Sequence, residues 1–379
     1  MEVAINANDE VKVAVVEAGC VEKLTHISSP SLQMKAIDLL ILICANDESL
    51  KLVSAQQELV TTALGWLKAP TTLPQRANSA LLLANMARTD EMCEMFISRG
   101  LVSLLLHLTQ IEEPEEVCSS YLLVEFSLQL SGLFCLFLQL SGKVLVSALS
   151  ALRNLCLPVS QKAGLVESGV LDAALRCLRD SKWPHVHFKC LGIARLLAPL
   201  KEVCVQLSQP GTVALVCERC SPAEPAQVKI EGSRLLAGLV KYCQSEEVMR
   251  VVISEGGVKL IASLLDSAHL SLRNEALLAL NLLAVVKDDG EFKTSLTDEV
   301  VVGGVWGVVS AGDSSPELVS NALTFLVLLA EKQWTAEVRE KLVMLEGLTD
   351  KLDSLTQNDS QTVSDLAKQL AKKLSLNPT

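Results

Sequence analysis

Cys217-Glu-Arg-Cys220 is the one cysteine pair at the two-residue spacing used by metal sites and dithiol redox centres. No second Cys or His pair follows at ligand spacing, so the pair cannot complete a tetrahedral site, and two buried thiols is the reading the sequence favours. His185-Val-His187 would place both imidazoles on one face of an extended segment. It follows Trp183-Pro184 and lacks acidic neighbours, which favours a polar turn leading into a helix. Ser141-Gly142-Lys143 lacks the upstream glycine of a phosphate loop, and neither GxSxG nor HExxH occurs. The expectation is a chain that is not an enzyme, with no catalytic residues of its own, no cofactor and no metal.

What remains is a set of polar side chains inside apolar helical runs. Asn78 and Asn85 lie seven residues apart in Arg76-Ala-Asn-Ser-Ala-Leu-Leu-Leu-Ala-Asn85, as do Asn274 and Asn281 in a second run, which puts each pair two turns along one helical face. Asn154 occupies the matching place in Ala-Leu-Arg153-Asn154-Leu. Asparagine inside a helix costs propensity, so a side-chain role is implied. Two roles stay open: binding the backbone of a partner segment, or bridging adjacent repeats. Arg153, Arg195, Glu231 and Arg234 are further partner-binding candidates on such helices, each weighed against an ordinary solvated charge.

The elements that would position these residues recur at a fixed period. Gly169, Gly211, Gly257, Gly304 and Gly347, separated by 42, 46, 47 and 43 residues, each open an apolar run. Gly19 and Gly100 continue the series upstream, 81 residues apart, with Glu58-Leu59 standing where a glycine would fall. An all-helical period of about 40–47 residues is the signature of armadillo or HEAT units. The predicted fold is all-α, an armadillo/HEAT-like right-handed α-solenoid superhelix, over residues 1–379 as a single array of about eight repeats. Long third helices are expected near 32–45, 75–88, 143–157, 186–198, 226–242, 272–286, 316–331 and 360–374, lining a groove. Residues 1–18 match only the end of a repeat, so the first repeat is expected to be truncated. The gap of 69 residues between Gly100 and Gly169 leaves a surplus assigned to an irregular insertion at 117–142. That stretch is apolar, but Glu125, Gln129 and Gln139 interrupt it, and a membrane span needs about 20 apolar residues.

Composition narrows the partners. Half the residues are hydrophobic and only 3% aromatic, as suits packed helices more than sheets. A net charge of −11 repels nucleic acid and anionic lipid and favours basic partners. Twelve scattered cysteines, among them Cys44, Cys93, Cys156, Cys190 and Cys243, fit buried free thiols in a reducing compartment, and the amino terminus shows no signal pattern. A cytoplasmic monomer without integral membrane association is expected.

Glu231-Gly-Ser-Arg-Leu-Leu-Ala-Gly-Leu-Val-Lys, Glu247-Val-Met-Arg and Arg273-Asn-Glu-Ala-Leu-Leu-Ala-Leu-Asn resemble the carboxyl-terminal repeats of the smgGDS family, the armadillo-type GTPase–GDP dissociation stimulators. Ala84-Asn-Met-Ala-Arg and Ser147-Ala-Leu-Ser-Ala-Leu-Arg-Asn extend the likeness upstream. Ser233 and Gly238 depart from it, standing where an Asn and a bulky aromatic are usual. The resemblance implies binding of Rho/Rap-type small GTPases that carry a basic tail, prenylated or not, as chaperone and exchange factor. Asn85, Asn154, Glu231, Asn274 and Asn281 would then lie in the groove. The alternative is an armadillo scaffold that binds an extended basic peptide without exchange activity.

Overall fold

The computed structural model describes residues 8–54, 56–68, 71–110, 128–287, 292–312, 314–332 and 335–375. These are helices and turns, with no strand among the described residues. The chain falls into two compact units, Met1–Leu197 and Ala198–Thr379.

The first unit holds four three-helix repeats. They comprise α1 (Asp9–Glu17), α2 (Cys20–Thr25) and α3 (Pro30–Cys44); α4 (Asp47–Ser54), α5 (Gln57–Trp66) and α6 (Leu73–Met86); α7 (Asp90–Ser98), α8 (Leu101–Leu108) and α9 (Leu128–Leu155); α10 (Lys162–Glu167), α11 (Val170–Asp180) and α12 (Pro184–Leu197). The second unit holds α13 (Lys201–Leu207), α14 (Pro210–Arg219) and α15 (Ala226–Cys243); α16 (Glu246–Ser254), α17 (Gly257–Ala262) and α18 (Leu270–Val285); α19 (Lys293–Leu296), α20 (Glu299–Ser310) and α21 (Pro316–Ala330); α22 (Thr335–Val343), α23 (Leu348–Thr356) and α24 (Gln361–Leu374). Every third helix is a long one, within a few residues of its expected position, except that α9 begins at Leu128 rather than near 143.

Local chemistry explains these boundaries. Thr72, Thr89 and Ser315 cap α6, α7 and α21 by accepting a first-turn amide, and proline sits in the first turn of α3, α6, α14 and α21, where a missing N–H costs nothing. Gly19, Gly100, Gly169 and Gly347 take positive φ at the corner before the second helix, a conformation that a side chain would strain. Three of the expected anchors differ. In the repeat of α17 the left-handed residue is Gly256, with Gly257 already helical, while Gly211 and Gly304 lie inside α14 and α20. There Gln209 and Asp298 open the helices in extended or near-extended geometry, so no glycine is required.

At the start of the described residues, α1 packs on α2, α3 and α4. Of the stretch 117–142, residues 117–127 lie outside the described residues, while 128–142 form the first half of α9. Among the described residues no single helix is long and apolar enough to cross a membrane.

Packing follows the repeat. α3, α6, α9 and α12 lie side by side in the first unit, and α15, α18, α21 and α24 do so in the second. Ile37, Leu40, Leu82, Leu83, Leu149 and Leu152 are fully buried in the first row, as are Leu235, Leu236, Leu277, Leu280, Leu323 and Phe325 in the second. Each helix hides its apolar stripe only against neighbouring helices, which is why the fold grows by stacking.

Candidate functional site

The polar residues singled out by type and spacing all fall on the third helices. Each unit carries its own share of them on its row of third helices, and the hydrogen bonds show what their amides hold. Asn85 on α6 donates from Nδ2 to the Ile41 carbonyl at 3.2 Å, and Asn154 on α9 donates to the Ala84 carbonyl at 2.8 Å. Ile41 and Ala84 lie in the last four residues of α3 and α6, whose carbonyls have no later turn of their own helix to accept from. Each asparagine therefore completes the carboxyl end of the preceding third helix. The same device recurs with cations. Arg88 reaches the Ala45 carbonyl at 3.0 Å beyond α3, and Lys332 reaches the Val286 carbonyl at 2.5 Å beyond α18, where positive charge also opposes the negative end of the helix dipole.

Asn78 is buried and donates to Asp38 Oδ1 at 2.5 Å, which joins α6 to α3. Its own Oδ1 is buried without a protein partner, as is that of Asn281. In the second unit, Asn274 donates to Glu317 Oε1 at 3.0 Å and accepts from Asn321 Nδ2 at 2.7 Å, while Asn281 donates to the Asn321 carbonyl at 3.1 Å. Arg234 Nε meets Glu275 Oε2 at 3.1 Å across α15 and α18. Asn321 and Asp38 are partners that residue type and spacing did not single out. The signal for Asn321 was available, since it lies one repeat beyond both Asn274 and Asn281.

Arg153, half-buried on α9, lies with its guanidinium 5.9 Å from the centroid of the Phe188 ring. It fits because residue 192 is glycine: a Cβ there would stand 2.6 Å from Arg153 Nε. Arg195 is half-buried on α12, three residues further on. Glu231 is only 6% exposed, on the buried side of α15, rather than a solvated charge.

The two departures from the familiar motif have physical substitutes. Ser233 Oγ is 2.6 Å from the Leu260 carbonyl, 2.8 Å from that of Lys229 and 3.2 Å from Ser263 Oγ, a hydroxyl tie between α15 and the end of α17. One turn after Gly238 stands Tyr242, whose ring would be in ordinary contact, 3.5 Å, with a Cβ at 238. An aromatic thus still covers that turn of α15.

The other motifs resolve as packing. Burial pushes the Cys217 thiol up to about 11 and Cys220 up to about 12, so both stand as neutral thiols near neutral pH. Among the described residues no three His, Cys, Asp or Glu side chains gather as a metal site requires. His187 is buried on α12 with Nε2 2.8 Å from the Ser181 carbonyl, while His185 is exposed; on a helix two residues apart they face different ways. One cysteine departs from expectation. Cys243, read as a free thiol, is bonded to Cys204, because α13 and α15 bring their Cα atoms to 6.0 Å.

No known family profile matches the chain. Pairwise, it is 28% identical over 385 aligned residues, 97% of its length, to Rap1 GTPase-GDP dissociation stimulator 1-A of Xenopus laevis, and equally to the 1-B form. The chain is similar to the GTPase-GDP dissociation stimulators. It is also 25% identical over 322 residues to the GTPase-GDP dissociation stimulator vimar of Drosophila melanogaster, which covers 74% of this chain. These relatives are longer: the chain spans 58% of the Xenopus proteins and 47% of vimar. The similarity agrees with the resemblance carried by the Glu231 and Arg273 segments. Among solved structures, an engineered protein aligns with 98% of this chain and 92% of its own at TM-score 0.61 and 20% identity. A designed armadillo repeat protein, crystallised with the peptide (KR)4, aligns with 70% of this chain and 98% of its own at TM-score 0.50 and 18% identity. Both likenesses concern the fold: an all-α solenoid of armadillo type.

Proposed function

We propose that this chain binds small GTPases of the Rho and Rap type through its rows of third helices, holds them as a chaperone, and stimulates release of GDP. The observation that carries this reading is the 97% span of the chain that aligns with Rap1 GTPase-GDP dissociation stimulator 1-A. Asn85, Asn154 and Arg153 in the first unit would meet the GTPase, as would Arg234, Asn274 and Asn281 in the second. With each asparagine Nδ2 held by a neighbouring helix, the Oδ1 atoms of Asn85 and Asn154 are left to accept from a partner's backbone.

No catalytic group is needed. If the nucleotide-free GTPase is bound more tightly than its GDP complex, GDP affinity falls by the same factor. A coupling of about 1–3 kcal/mol weakens GDP roughly 5- to 150-fold. The surplus of 44 acidic over 33 basic residues favours a GTPase with a basic tail, prenylated or not, and makes encounter salt-sensitive.

The test is release of fluorescent GDP from purified Rap- and Rho-type GTPases, with and without excess chain, at two salt concentrations. Faster release that weakens as salt rises is expected. Binding of a basic peptide as tight as that of the whole GTPase, with release unchanged, would replace this reading with a peptide scaffold.

A further inference from the structure

The Cys204–Cys243 bond is the feature that neither packing nor the proposed function absorbs. It links α13 to the last residue of α15, closing a separation of 39 residues, with Cα atoms 6.0 Å apart. Eight other cysteines in the described residues are free thiols. Among the described residues there is therefore no disulfide framework of the kind that small secreted domains rely on. Nor does α15 need a tether, since Leu235, Leu236, Leu239 and Val240 seat it in the core at 1% exposure or less.

The surroundings suit both redox states. Cys204 is 3% exposed, whereas Cys243 is half-buried at the helix end, so a soluble reagent meets Cys243 first. If the bond opens, the Cys204 thiol finds the Leu239 carbonyl as acceptor 4.0 Å away. Beyond Cys243 the backbone turns through Gln244 at φ 46°, a left-handed position usually given to glycine and held only when its surroundings enforce it. The bond closes at the residue immediately before Gln244. Just before it stand Tyr242, 45% exposed, and Lys241, whose ammonium lies 5.6 Å from the Tyr242 ring centroid.

We propose that Cys204 and Cys243 form a reversible thiol–disulfide switch, driven by a small disulfide such as oxidised glutathione, that fixes the carboxyl end of α15 when oxidised and frees it when reduced. The Cys243 thiolate attacks one glutathione sulfur and expels the other half as reduced glutathione. The Cys204 thiolate then attacks Cys243 Sγ in the mixed disulfide and expels the second glutathione. Two protein thiols are oxidised, one glutathione disulfide is reduced to two thiols, and the two thiol protons pass to the released glutathione thiolates. This goes beyond GTPase binding and does not depend on it.

The test equilibrates the full chain in glutathione buffers from fully reduced to fully oxidised, counts thiols after denaturation, and maps them by peptide mass. All twelve cysteines should titrate at the reduced end, and ten at the oxidised end, the missing two being Cys204 and Cys243. Cys243→Ser should abolish that loss, and Cys204→Ser should reduce it to one thiol, held as a Cys243–glutathione mixed disulfide. Amide exchange over 239–245 should quicken on reduction, and likewise in either variant. A bond that survives excess reduced glutathione would overturn the switch in favour of a fixed staple. Thiols that never pair, or exchange rates equal in the two states, would overturn it as well. These readouts need no GTPase, so their failure is separate from failure of the proposed function.

Discussion

Gly232 sits in the middle of α15, where alanine should be the better helix former by about 1 kcal/mol. The structure predicts the opposite sign. A Cβ at 232 would lie 2.2 Å from Cys220 Sγ, and Cys220 is 5% exposed, with its sulfur 3.6 Å from the Val228 carbonyl. Overpacking of this kind costs about 1–3 kcal/mol, so Gly232→Ala should destabilise by roughly 1 kcal/mol net. In a Cys220→Ala background the obstacle is gone, and the same substitution should stabilise by about 1 kcal/mol, a coupling of about 2 kcal/mol. For a folding unit of this size each kcal/mol moves the melting midpoint by about 2–4 °C. Thermal unfolding of the four proteins, followed by circular dichroism, reads the cycle directly. Gly303→Ala on α20, where a Cβ meets nothing within 4 Å, is the control and should raise the midpoint in either background. Equal shifts of the same sign at 232 with and without the Cys220 sulfur would refute the packing argument.

Two further experiments test the rows of third helices. Asn154→Ala removes the bond that completes the end of α6 and should cost about 1 kcal/mol in spite of alanine's better propensity, with faster amide exchange near residues 84–88; unchanged stability with lost GTPase binding would make Asn154 a partner contact alone. Arg234 and Glu275 are about 30% exposed, so a double-mutant cycle between them should give a coupling below about 1 kcal/mol that shrinks as salt rises; a larger, salt-independent value would contradict a screened pair.

Much of the architecture was legible in the chain. A period near 42 residues and apolar stripes at helical spacing determine a stack of three-helix repeats, because no single repeat can hide its own stripe. The long helices are placed by the same pattern, and Thr72, Ser315 and the first-turn prolines mark where several begin. Residue type and a seven-residue interval were enough to pick out Asn78, Asn85, Asn274 and Asn281 as polar groups with work to do. What each amide holds was not legible, since Ile41, Ala84 and Asn321 are brought opposite those side chains only when neighbouring repeats pack. Glycine spacing likewise predicted corners at Gly211 and Gly304, yet the turn depends on backbone angles that Gln209 and Asp298 achieve without glycine. The pairing of Cys204 with Cys243 shows the same division. Their sequence positions, 39 residues apart, carry no distance information, and only the packing of α13 on α15 brings their Cα atoms within reach of a disulfide.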